Sequence, residues 1–196
     1  MEQLSKNEKE REPSEEHFFE SGFEKAHTVV FFIDQKTRRI GMLRRSGNVD
    51  FAPNMYTGVG GKIEKGEGNY SGAARELNEE LVGTFEKTSL HEFGRIIING
   101  KAIISYFSLP FEADALPSTT ENIGDLSWVS LDDIMQLEII PTTKIFMEEW
   151  KKRAWDTSHP FTVSIQRADV SDIKSPVISV ESQEGLVAKP LKNPSL

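Results

Sequence analysis

The sequence predicts an α+β fold, a layer sandwich in which a mixed β-sheet lies between helices. Three observations carry that expectation. Runs rich in β-branched and aromatic residues recur at 27–33, 102–109 and 161–165. The pair Asn99-Gly100 separates two such runs and readily takes the positive backbone angles of a tight hairpin. Between the strand-like runs lie two stretches with apolar residues at helical spacing, one carrying Ala73, Ala74, Leu77 and Leu81 and one fitting 142–155.

Taken in order, residues 1–23 are polar and charged, with Pro13 interrupting any helix, so residues 1–24 read as a mobile arm or a short surface helix. The first strand, 27–33 (HTVVFFI), is followed by a turn at 34–38 and a second strand at 39–45, in which Ile40, Met42 and Arg44 alternate against their neighbours. Residues 46–55 form a loop rich in Gly, Asn and Pro. After the first helix, 91–98 and 102–109 make the hairpin, 110–124 is a long acidic connection, 126–129 is a strand, and a short helix opens at Leu131-Asp132-Asp133-Ile134. Pro141 sits where the helix at 142–155 can begin, and that helix places Phe146 and Trp150 on one side. Strands are expected at 161–165 and 177–180, and a frayed end at 189–196. The organisation is thus an arm at 1–24, one domain at 25–155, and an extension at 156–196 that either adds edge strands or meets a second subunit. Trp155 and Phe161 either line that homodimer contact or finish the core.

With 196 residues and 37% hydrophobic content, the chain can bury one ordinary core. It has no cysteine, which excludes disulfides, thiolate metal sites and a cysteine nucleophile. His17, His27, His91 and His159 lack the spacing of a zinc site. The net charge of −8 argues against coating a nucleic-acid polymer, while leaving small phosphorylated ligands compatible. The charged first residues do not resemble a signal peptide and no run approaches a membrane span, so a cytoplasmic location without a membrane partner is expected.

The most informative stretch is 61–83, GKIEKGEGNYSGAARELNEELVG. Residues three and four apart share a helix face, so Glu76 projects beside Glu79 and Glu80. Carboxylates so close repel one another unless a cation lies between them, and hard divalent ions such as magnesium take oxygen ligands of this kind. The order Gly61, five residues, Glu67, seven residues, Arg75-Glu76-Leu77-Asn78-Glu79-Glu80 resembles the Nudix box, the signature of hydrolases that cleave nucleoside diphosphates linked to another moiety. Gly58-Val59-Gly60-Gly61-Lys62 also resembles the strand-to-loop transition of MutT-like members. One departure is visible: the glycine that usually follows the glutamates by two positions is displaced to Gly83, which is expected to move the left-handed helix end by one residue.

The resemblance implies an α/β/α sandwich over about 25–155, and Mg²⁺, or alternatively Mn²⁺, held by Glu76, Glu79, Glu80 and the Gly60 carbonyl. It implies a general base, Glu79 first and Glu76 second, for the attacking water. Arg75 is expected to orient the box through ion pairs, with Glu67 as its partner and Gly61 supporting the turn. A further acidic ligand from a distant loop is expected at Glu121, with Glu112 and Asp114 as rivals. Arg44, Arg45 and Lys62 are the cations nearest the box for phosphate contact, and Phe51 either stacks on a base or anchors its loop. The substrate reading is a nucleoside triphosphate or nucleoside diphosphate derivative, oxidised deoxynucleotides included. ADP-ribose or a nucleotide sugar is the alternative, and a catalytically silent nucleotide sensor is the alternative of another class.

Overall fold

The computed structural model describes residues 12–120, 122–166 and 177–182. The expected frayed end at 189–196 and the first half of the expected arm lie outside them. The strands are β1 (Lys25–Asp34), β2 (Arg39–Arg45), β3 (Tyr56–Thr57), β4 (His91–Ile98), β5 (Ala102–Pro110), β6 (Gly124–Ser130), β7 (Phe161–Gln166) and β8 (Val177–Ser182). Two α-helices, α1 (Asn69–Glu80) and α2 (Pro141–Lys152), and 3₁₀ turns at Lys87–Ser89 and Ile134–Gln136 complete the order. The strands run β3-β2-β1-β5-β4-β7-β8 across one sheet, with β6 on β2. The β1–β5 and β4–β7 pairs are parallel and the others antiparallel, so the sheet is mixed as the sequence predicts.

Strand parity builds the layers. Because alternate strand residues face opposite sides, Val30 and Phe32 of β1 pack with Ala73 and Leu77 of α1, while Phe31 and Ile33 pack with Phe146, Met147 and Trp150 of α2. Strand β5 obeys the same rule, with Tyr106 toward α2 and Phe107 and Leu109 toward α1, whereas a bulge between Glu92 and Gly94 of β4 puts Phe93 and Ile96 in one layer; Asn99 and Gly100 take φ of 51° and 66° to close the hairpin. In the α2 layer the Tyr106 and Phe146 rings stack at 3.7 Å, and Phe146 also meets Phe93 and Phe161. Helix α2 stops at Lys152, earlier than the periodicity suggests. Ala154 and Trp155 turn the chain with positive φ, which lets the Trp150 indole donate to the Asp156 carbonyl (2.9 Å) and lays Trp155 edge-on against Trp150. Trp155 and the fully buried Phe161 thus finish the core. The extension adds two strands to the sheet, β7 beside β4 and β8, at the edge, beside β7.

Strand β1 has a divided edge. It pairs with β2 only at Ile33↔Ile40 and Asp34↔Arg39. Toward its start the segment 59–63 takes the place of β2: Val30 and Val59 exchange backbone hydrogen bonds of 2.7 and 3.0 Å, Thr28 N–H donates to the Gly61 carbonyl, and Ile63 N–H donates to that of Ala26. This pairing fixes the Gly58–Lys62 strip against the sheet.

The residues expected to form a mobile arm behave otherwise from Glu12 onward. Phe18 and Phe23 are buried, and the chain binds the start of α1 through Glu15 and Glu16. Helix α1 begins at Gly68, which has no side chain to cap it. The Glu15 carboxylate does that work instead, accepting from the Tyr70 and Ser71 amides (3.0 and 3.2 Å) and the Ser71 hydroxyl (2.6 Å). Glu16 pairs with the buried Arg95, which also holds Glu92, and Glu92 accepts from the Asn69 amide. The polarity that reads as solvated arm is consumed by this network. Neither helix is long and apolar enough to cross a membrane.

Candidate active site

Helix α1 presents its acidic residues beside the Gly58–Lys62 strip. Gly60 N–H donates to Glu80 Oε2 at 3.2 Å. Gly60 has φ +141°, and a Cβ there would lie 2.5 Å from the Thr28 carbonyl, so only glycine fits. At Gly61 a Cβ would lie 2.5 Å from Glu76 Oε2. Glycine therefore lets the helix carboxylates come against the backbone of the strip.

Arg75 ties the cluster together. Its Nε and Nη2 donate to Glu67 at 2.9 and 3.2 Å, Nη1 donates to Glu79 at 2.8 Å, and Nη2 reaches Glu76 Oε1 at 3.0 Å and the Lys62 carbonyl at 2.8 Å. A planar fork with five donors suits such a divided task; an ammonium would not. Glu67 in turn accepts from Glu64 N–H and thereby shapes the loop before the helix.

The charges are unequally settled. Burial works against ionised Glu67, yet Arg75 and the Glu64 amide overcome it and hold the carboxyl below its ordinary value. Burial raises Glu76, with Arg75 opposing. Burial pushes Glu80 up to about 7, opposed by the Gly60 amide and Arg45 and reinforced by Glu76. Glu79 is the exposed member, with 59% of its side chain open.

One concavity adjoins the strip, and a second meets it at Arg45. The first, about 490 Å³, lies on the α2 face of the sheet and is walled by Thr57, Gly58, Gly60 and Gly61 with Val29, Ile104 and Tyr106. The second, about 480 Å³, is polar and lies among Arg44, Arg45, Asn54, Thr119 and Thr120. The three box glutamates line neither, so the glycine strip is the partition between them and the first cavity. Arg45 borders both concavities.

A family model, the NUDIX domain, matches residues 24–150. The chain belongs to the Nudix family. Its fold is similar to that of the mutator MutT protein from Bacillus halodurans, at TM-score 0.58 and 17% identity over 79% of this chain and 97% of that one. The MutT protein from Methanosarcina mazei Go1 matches at TM-score 0.53 and 21% identity, covering 67% and 96% of the two chains. The dihydroneopterin triphosphate pyrophosphohydrolase of E. coli matches at 0.50 and 20%, covering 65% and 95%. As a member of the Nudix hydrolases, the chain is a hydrolase of phosphorus-containing anhydrides.

The structure brings some of the candidate residues of this Nudix domain together and not others. Glu67, Arg75, Glu76, Glu79, Glu80, Gly60 and Gly61 are brought together. Lys62 contributes its backbone, pairing with His27 and accepting from Arg75, while the residue itself is exposed. Phe51 is 65% exposed at the cavity rim, where its carbonyl accepts from Arg45 Nε. Glu121 lies outside the described residues. Arg44 is exposed and borders only the polar concavity, whereas Arg45 exerts its charge on Glu80. Parity explains the exchange: Ile40 and Met42 face α2, so Arg45, in phase with Leu43, shares the side that faces α1.

The helix end also departs from expectation. Leu81, the C-cap, is extended at φ −125° and is not left-handed. It bridges to Thr119, while Val82 N–H donates to the Ser118 carbonyl and Thr120 N–H to that of Glu80. Strand-like pairing with the 118–120 loop ends the helix, so the displaced glycine has no capping task to perform.

Proposed function

We propose that this Nudix hydrolase cleaves a pyrophosphate bond in a nucleoside triphosphate or a nucleoside diphosphate derivative, with Mg²⁺ as the activating ion. The observation that carries the reading is the convergence of Glu76 and Glu80, with Glu79 joined to them through Arg75, on a glycine strip that also walls a 490 Å³ cavity, a volume suited to a nucleoside.

The donor set fits a hard divalent cation. Glu80 and Glu76 are partly buried carboxylates driven toward the neutral form by burial and by neighbouring carboxylates, Glu76 and Glu79 for Glu80, Glu79 and Glu67 for Glu76, and an ion with oxygen preference removes that conflict. Among the described residues no three His, Cys, Asp or Glu side chains form a finished cage as they stand. Glu79 is turned to Arg75 and Glu80 to the Gly60 amide, so binding entails their exchange of partners. Glu76, Glu79, Glu80 and the Gly60 carbonyl are the residues that would hold the ion, and its chemistry there is neutralisation of phosphate charge and activation of water.

The chain's own groups supply the rest. Glu79, the exposed carboxylate, is the candidate acceptor for the proton of the attacking water, with Glu76 as the second candidate. Arg75 keeps both in place through its divided fork. Arg45 offers positive charge between the glutamates and the polar concavity, where phosphate oxygens can be received. The sensor reading loses ground because every box carboxylate is present and paired.

The test is release of phosphate or pyrophosphate from ordinary and oxidised nucleoside triphosphates, ADP-ribose and nucleotide sugars with Mg²⁺. Turnover of one class that disappears in a Glu79→Gln, Glu80→Gln double variant is the expected result. Metal-dependent binding without turnover across the whole panel would replace this reading with the sensor.

A further inference from the structure

Residues 12–23 precede the Nudix domain, which begins at residue 24, yet they grip both halves of its site. One half is α1. Besides the Glu15 cap, Glu16 is locked to Asn69 in both directions: its N–H donates to Asn69 Oδ1 at 2.9 Å, and Asn69 N–H donates to its carbonyl at 3.1 Å. Asn69 is fully buried, and through Glu92 and Arg95 its amide is tied back to the Glu16 carboxylate. A Cβ at Gly68 would overlap the Glu15 carboxylate, so glycine at the N-cap leaves the space that this residue fills. Lys87, in the 3₁₀ turn beyond α1, reaches Glu12 at 2.7 Å and Glu15 at 3.5 Å.

The other half is the glycine strip. Phe18 and Phe23 share a buried cluster with Ala26, Ile103 and Ile63, and Ile63 directly follows Lys62 at the end of the strip. Helix α1 packs on the same residue, since a Cβ at Gly72 would stand 3.2 Å from Ile63 Cγ1. The site needs these two elements in register, because Glu80 accepts from Gly60 N–H and Glu76 lies against Gly61. A helix moves as a rod, so a displacement at its uncapped start is carried to the carboxylates farther along. Chemistry that depends on placed carboxylates is sensitive to errors of about 1 Å.

Resting on the proposed hydrolase, we propose that residues 12–23 are a strap that aligns α1 with the glycine strip, and that Glu15 is a positioning residue for hydrolysis. It acts through the start of α1 on carboxylates that it does not touch. The strap lies outside the family domain, so control of the site is exerted from a segment that the box itself does not contain.

The test compares Glu15→Ala and Glu15→Gln in the full chain. The first readout is the amide spectrum without metal or substrate. Glu15→Ala is expected to move the Gly60 amide proton upfield, the direction of a weakened hydrogen bond to Glu80, along with the Tyr70 and Ser71 amides. A loss of stability alone leaves the folded-state resonance of Gly60 where it was. Glu15→Gln keeps an oxygen for both amides and is expected to restore most of the wild-type Gly60 position. On the substrate that the nucleotide panel identifies, Glu15→Ala is expected to lower kcat on the order of tenfold with KM within about twofold, and Glu15→Gln to recover at least about half of that loss on a logarithmic scale. A Gly60 resonance that stays while Tyr70 and Ser71 move would overturn the proposal, as would equal shifts throughout the sheet, an unchanged kcat, or a glutamine variant no better than alanine. The resonances are read without turnover, so their outcome is independent of whether the glutamates hydrolyse anything.

Discussion

Replacing Arg75 with methionine keeps most of the stem volume and removes the fork that holds three carboxylates. Glu67 and Glu76 have side chains only 17% and 12% exposed, so each loses a charge-assisted partner where water compensates poorly. Such a bond is worth about 1.5–3 kcal/mol. The Glu79 pair, with that carboxylate 59% exposed, adds less than about 1 kcal/mol. Against the sum stands the desolvation cost of the guanidinium, recovered when it is deleted. The net expectation is a loss of about 3 kcal/mol, read by urea unfolding near neutral pH as a shift in midpoint at constant slope. Arg75→Lys restores a charge without the fork and should recover about half of the loss or less. A loss below about 1 kcal/mol for the methionine variant would show that the carboxylates are held by something other than Arg75.

The glycine strip separates stability from activity. Gly60→Ala forces a Cβ onto the Thr28 carbonyl at a positive φ and should cost about 2–4 kcal/mol in the same unfolding assay. Gly61→Ala meets only the carboxylate end of the Glu76 side chain, which can shift where the Thr28 backbone cannot, so it should lose less stability than Gly60→Ala while turnover falls at least tenfold. Equal stability loss in both would refute the distinction. Removing the borrowed cap with Glu15→Ala should cost about 1–2 kcal/mol and speed hydrogen exchange at the Tyr70 and Ser71 amides, whereas unchanged exchange would show the cap to be idle. Asp34 is held at about 2 by hydrogen bonds from Arg39 and Thr37. Its folded value lies below the ordinary 3.8, so its stabilisation is fully present above pH 4 and lost as pH falls through 2. The stability gap between wild type and Asp34→Asn should therefore be constant from pH 5 to 7 and close toward pH 2, and a gap independent of pH would contradict this.

What the sequence determined by itself was local. Helical spacing places Glu76, Glu79 and Glu80 within about one turn whatever surrounds them, and strand parity sends Val30 and Phe31 to opposite layers in any sheet. The Asn99-Gly100 turn is likewise a property of two residues. Tertiary structure decided everything that depends on a distant partner. Which face of β2 meets α1 brought the charge of Arg45, and not of Arg44, to bear on Glu80, and the end of α1 was set by pairing with 118–120 rather than by a glycine. The polar residues from Glu12 to Glu24 resemble solvated chain until Arg95 and the uncapped start of α1 are placed beside them. Spacing along the chain fixes directions within one element; burial across the whole molecule chooses which elements face one another.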